Sequence, residues 1–137
     1  MPVTHRIRFN ILCKDLSDSA AFYQRVFGMV ETETHGWLRV FSLPGETRLE
    51  LGLIDEVSEF VPRGARGIVE GAYITFVIED VVAAVHAAHA EGVEIVEDAR
   101  GFGNAVHAVI RDPNGIVIDL FTPEAAVQMP PSELLAG

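Results

Sequence analysis

The stretch Arg111-Asp112-Pro113-Asn114-Gly115-Ile116-Val117-Ile118-Asp119-Leu120-Phe121 decides the fold. Its first part is turn chemistry: proline presets φ at the second turn position, asparagine is tolerated at the third, and glycine accepts positive φ where the chain re-enters a strand. The strand after it is apolar except for Asp119, and a buried carboxylate is costly unless it has a partner or a purpose. Residues 105–111 read as the other arm of a hairpin. A type I turn with a bulge puts His107 and Val109 on the Asp119 face, and a two-residue turn sends them to the opposite face; the first is favoured.

Outward from this hairpin the chain repeats itself. Upstream, residues 72–78 alternate as a strand with Tyr73, Thr75 and Val77 on one face, Asp80 opens an Ala- and Val-rich helix that Gly92 closes, and residues 93–96 form a further strand. The same order appears earlier. Residues 6–13 alternate, with Ile7, Phe9, Ile11 and Cys13 facing one way and Arg6, Arg8, Asn10 and Leu12 the other, which predicts a half-buried strand. Asp15-Leu16-Ser17 supplies a helix cap, the helix runs to a stop at Gly28, and strands follow at 29–34, 37–42 and 48–54 with Pro44-Gly45 as a turn. Asp15-Leu16 matches Asp80-Val81, Gly28 matches Gly92, and Pro44 to Glu50 has the spacing of Pro113 to Asp119. Two βαβββ modules follow from this repeat, at residues 5–54 and 71–122, joined by a connector at 55–70 and followed by a tail at 123–137. The fold class is α+β, with two mostly antiparallel four-stranded sheets, each with its helix on one face. The opposite faces carry Arg8, Asn10, Glu50, Tyr73, Thr75 and Asp119, the lining expected of sheets curled around a polar cavity.

Composition narrows the function. A length of 137 residues suits one domain, and the net charge of −10 disfavours nucleic acid and anionic membranes. No apolar run reaches the ~20 residues of a membrane span, and the N-terminus has no signal-peptide core, so a cytoplasmic protein is expected. Cys13, the single cysteine, permits no internal disulfide and reads as inert core. His86 and His89 read as solvated helix residues, His35 beside Gly36 as a turn, and His5 as facing away from Arg8.

The paired βαβββ modules, the Asp15 to Met29 run DLSDSAAFYQRVFGM and the Asp-Pro-Asn-Gly turn before an Asp-Leu strand end resemble the vicinal oxygen chelate superfamily. It includes glyoxalase I, bleomycin-resistance and fosfomycin-resistance proteins and extradiol dioxygenases. The resemblance covers about residues 6–123. It implies a glyoxalase-like fold, a small-molecule ligand and a homodimer. In metal-using members a ligand comes from the first strand of each module and a carboxylate from the last. Counting back from the helix entries puts those positions at Arg8 and Tyr73, with Glu50 and Asp119 as the carboxylates. A guanidinium has no lone pair to give, and a neutral phenol is a poor ligand.

The expected reading is therefore a small-molecule-binding protein, or a metal-independent enzyme, with no cofactor. Its ligand-binding residues are Arg8, Asn10, Glu50, Tyr73, Asp119, Trp37 and His107, with Arg8 neutralising Glu50 and Asp119 in place of a metal. A structural ion-pair network is the plainer alternative for Arg8, Glu50 and Asp119, as wall packing is for Trp37. The second functional reading is a lyase, isomerase or dioxygenase holding a divalent metal ion through Glu50, Asp119 and His107. Gly101 and Gly103 are expected in a mobile flap over the cavity.

Overall fold

The computed structural model describes residues 2–123, so from residue 124 onward the expected tail lies outside the described residues. The chain divides into two compact units, Met1–Ile68 and Val69–Gly137. The first contains β1 (Ile7–Cys13), α1 (Leu16–Phe27), β2 (Val30–Thr34), β3 (Leu38–Leu43) and β4 (Glu46–Asp55). The second contains β5 (Ile74–Val77), α2 (Val81–Ala90), β6 (Ile95–Phe102), β7 (Ala105–Arg111) and β8 (Val117–Phe121). Each unit forms one four-stranded mixed sheet, in the orders β1-β4-β3-β2 and β5-β8-β7-β6. In each, the first strand pairs in parallel with the last and the other pairings are antiparallel.

The helix boundaries follow the cap residues. Asp15 accepts from Asp18 N and Asp80 from Ala83 N, each satisfying an orphan amide of a first turn. Gly28, at φ 65°, ends α1 with a left-handed cap that returns its N–H to Gln24 and Tyr23 carbonyls. In the first unit the helix-side face carries Ile11, Cys13, Phe41 and Leu53, all buried, beneath Ala20, Phe22 and Tyr23 of α1. The alternation of β1 holds, but its half-burial does not extend along its length: Ile7 and Phe9 are 60% and 41% exposed. α1 packs on β3 and β4 and leaves the N-terminal end of β1 uncovered within the unit. In the second unit Ala108, Ile110, Ile118 and Leu120 form the corresponding core with Val81, Ala84, Val85 and Ala88 of α2.

The hairpin between β7 and β8 has the bulged geometry. Gly115 N donates to Asp112 O at 3.1 Å, Gly115 sits at φ 89°, and buried Asp112 accepts the amides of Asn114 and Ile116 through Oδ1. Val109 consequently pairs with Asp119. The Pro44-Gly45 turn is different: Leu43 pairs with Glu46, and a register shift further along places Phe41 opposite Leu51 and Arg39 opposite Leu53. Arg39 and Phe41 therefore lie on the helix side.

Gly101 and Gly103 belong to a β-hairpin rather than an open loop: β6 runs through Gly101, Phe102 pairs with Ala105, and Gly103-Asn104 is a tight hairpin turn with Gly103 at φ 59°. Pairing with β7 satisfies the backbone that a loop would leave to solvent.

Candidate functional site

Each unit carries a carboxylate on the sheet face away from its helix. In the first, the parallel register puts Arg8 beside Glu50 and Asn10 beside Gly52. Glu50 is only 9% exposed, and both of its oxygens are engaged: Arg8 Nε donates to Oε1 at 3.0 Å and Arg6 Nη1 to Oε2 at 3.2 Å. Such charge-assisted contacts are what make burial of a carboxylate tolerable. Arg8 then reaches across the sheet, where its Nη2 lies 3.6 Å from Glu33 Oε2 on β2. Gly52 makes that path available: a Cβ there would stand 2.9 Å from Arg8 Cδ and 2.2 Å from Asn10 Oδ1. His35 Nε2 lies 3.0 Å from the other Glu33 oxygen. The Glu33 carboxyl is held below the usual carboxylate range, chiefly by that hydrogen bond, with His35, Arg8 and Arg6 adding charge attraction.

The other end of the same face is apolar. Leu38, Val40, Ile54 and Val61 are buried together, with Leu12 and Trp37 packed against them. Trp37 lies 4.6 Å from Phe60 with the rings tilted, and the His35 ring stacks against it at 6.1 Å. The connector supplies Phe60 and Val61, and Arg66 ties it to itself by donating to the carbonyls of Glu56 and Ser58. A groove of about 330 Å³ at the strand ends, lined by residues including Arg6, Ile7, Arg48 and Leu49, touches neither Arg8 nor Glu50.

In the second unit His107 Nε2 lies 2.7 Å from Asp119 Oδ1, and the His107 ring stacks on Phe121 at 4.3 Å. Thr75 Oγ1 donates to Asp119 Oδ2 at 3.3 Å. The β5 residue beside Asp119 is Thr75, not Tyr73. Tyr73 precedes the strand and is 64% exposed. Counting back from the helix entry fails because Arg8 lies seven residues before its cap, Asp15, whereas Thr75 lies five before Asp80.

Glu33 and Arg6 escaped the sequence reading as site residues. Strict alternation puts Glu31 and Glu33 on one face, but a bulge between them turns Glu31 toward Phe41 and Glu33 toward Val40. No pattern in 30–34 marks that bulge.

The donors do not match the divalent-ion site that the resemblance implies. Glu50 has both oxygens on guanidinium groups, Arg8 has no lone pair to offer, and in the second unit a histidine is already paired with the carboxylate. Among the described residues, no three or more His, Cys, Asp or Glu are grouped so as to hold a metal ion. Among them also, no helix is long and apolar enough to cross a membrane.

A search of curated proteins finds no match. Solved structures share the fold at low identity. A glyoxalase-related enzyme from Fulvimarina pelagi is 14% identical with a TM-score of 0.70, over 90% of this chain and 91% of that one. Lactoylglutathione lyase from Agrobacterium tumefaciens is 22% identical with a TM-score of 0.60, over 90% and 97%. A glyoxalase/bleomycin resistance protein/dioxygenase family enzyme from Burkholderia phytofirmans PsJN is 20% identical with a TM-score of 0.65, over 84% and 95%. The family model described as Glyoxalase/Bleomycin resistance protein/Dioxygenase superfamily matches residues 5–120, and the chain belongs to that superfamily.

Proposed function

We propose that the protein binds a small organic molecule through Arg8 and works without the divalent metal used by metal-dependent relatives. The supporting observation is the state of Glu50: this carboxylate, which the resemblance would make a metal ligand, is buried and held on both oxygens by Arg6 and Arg8. A guanidinium fixed by its Nε edge keeps its outer Nη groups for a ligand's carbonyl or carboxyl oxygen, and a fixed donor loses little freedom on binding. Asn10 adds an exposed amide beside it, and Trp37 with its neighbours offers apolar surface at the other end of the face. In this reading Asp119, His107 and Thr75 form the second unit's polar group, and Tyr73 is a peripheral contact. A homodimer in the cytoplasm goes with this reading, as does binding or metal-independent catalysis.

Ligand-observed NMR with a mixture of small aromatic carbonyl compounds and carboxylates tests it. Wild-type protein is expected to bind members of the mixture, and Arg8→Ala is expected to lose them while remaining folded, with its unfolding midpoint lowered because Glu50 keeps only Arg6. Equal binding by Arg8→Ala rejects the role of Arg8. Binding restored by divalent ions after chelation favours the metal-dependent reading through Glu50, Asp119 and His107.

A further inference from the structure

We propose that Glu33 sets the charge preference of the Arg8 site, turning it toward an uncharged carbonyl or amide oxygen and away from carboxylates. This rests on the reading of Arg8 as the binding group. Two guanidinium groups, Arg6 and Arg8, meet two carboxylates, Glu50 and Glu33, so the cluster is already balanced without a ligand. The two carboxylates are held unequally. Glu50 is buried with a 3.0 Å hydrogen bond to Arg8, whereas Glu33 is 46% exposed at the side chain and stands 3.6 Å from Nη2, beyond ordinary hydrogen-bond distance. Its other oxygen is on His35. The stem of Arg8 runs over Gly52, where a side chain would crowd it.

A ligand approaching the Nη groups of Arg8 therefore meets a carboxylate already beside them. A carboxylate ligand faces like-charge repulsion from Glu33 or must displace it, and either lowers its affinity. An amide or ketone oxygen accepts from the same Nη groups without adding charge, so Glu33 stays in place. Glu33 is thus a built-in competitor for anions, positioned by the β2 bulge that turns it onto the Arg8 face.

The test uses benzamide and benzoate as matched neutral and anionic probes, titrated into the whole protein at pH 8. Binding is read from the Arg8 Nε–Hε NMR resonance, assigned with Arg8→Lys. Wild type is expected to favour benzamide. Glu33→Gln is expected to raise benzoate affinity relative to benzamide by about fivefold, the scale of one unit-charge contact at a hydrated site. Glu59→Gln, which removes the same charge from an exposed connector position, is expected to leave the ratio at the wild-type value. A ratio unchanged by Glu33→Gln, or changed equally by Glu59→Gln, overturns the proposal. Glu33→Ala serves if Glu33→Gln unfolds. If neither probe moves the Arg8 resonance in wild type or variant, the binding role of Arg8 itself is overturned.

Discussion

Removing the carboxylate from Glu50 takes the shared partner from two guanidinium groups at once, leaving Arg8 only its longer contact with Glu33. Glu50→Gln is expected to lower stability by about 1–2 kcal/mol, below the range for a fully buried pair because the Arg6 and Arg8 side chains remain 59% and 29% exposed. Urea unfolding measures this, and an unchanged midpoint would mean the contacts are ornamental. Asp112 is a different case, because its partners are backbone amides: Asp112→Ala removes the acceptor for Asn114 and Ile116 N–H and is expected to cost about 2 kcal/mol in the same assay. At this scale the sequence was partly legible. The polar character of Arg8, Asn10, Glu50 and Asp119 stood out against apolar strands. The choice of Thr75 over Tyr73 did not, since parallel pairing joins residues 44 apart and leaves no local mark in β5.

The elements were readable where local chemistry dictates them. Asp caps, the Gly28 stop and the Asp-Pro-Asn-Gly turn each act within a few residues, and α1, α2 and the β7–β8 register followed from them. Gly115→Ala is expected to destabilise the second unit by about 1 kcal/mol or more, because an L side chain is strained at φ 89°, and a thermal scan measures it. The β2 bulge was invisible for the opposite reason: it is fixed by pairing with β3, and it separates Glu31 from Glu33. Glu31 meets Arg39 in a two-bonded pair at 2.8 and 2.7 Å. Its carboxyl is held below the usual carboxylate range, first by those hydrogen bonds, against burial, and further by Thr34. A depressed folded-state value means the contribution is present above the unfolded-state range and is lost as pH falls through the folded one. Glu31→Gln should therefore be about 1 kcal/mol less stable than wild type near pH 7, with the gap closing as pH falls below the unfolded-state carboxylate range and through the lowered folded-state value. A gap independent of pH would show that the pair does not act through ionisation.

For the chain as a whole, the repeat was the most informative feature, because two βαβββ modules specify strand order as well as strand number. What the repeat could not convey is that the modules have diverged chemically. One surrounds its terminal carboxylate with arginines, and the other sets a histidine and a threonine against it. That divergence underlies the proposal that this chain works without a bound metal, with its own side chains around the carboxylates. The most direct test is the metal content of protein purified without chelators and equilibrated with micromolar zinc, nickel, manganese and iron, then washed free of unbound ions. The account predicts only substoichiometric metal, unaffected by Glu50→Gln or Asp119→Asn. One tightly held ion per chain, lost on either substitution, would contradict it.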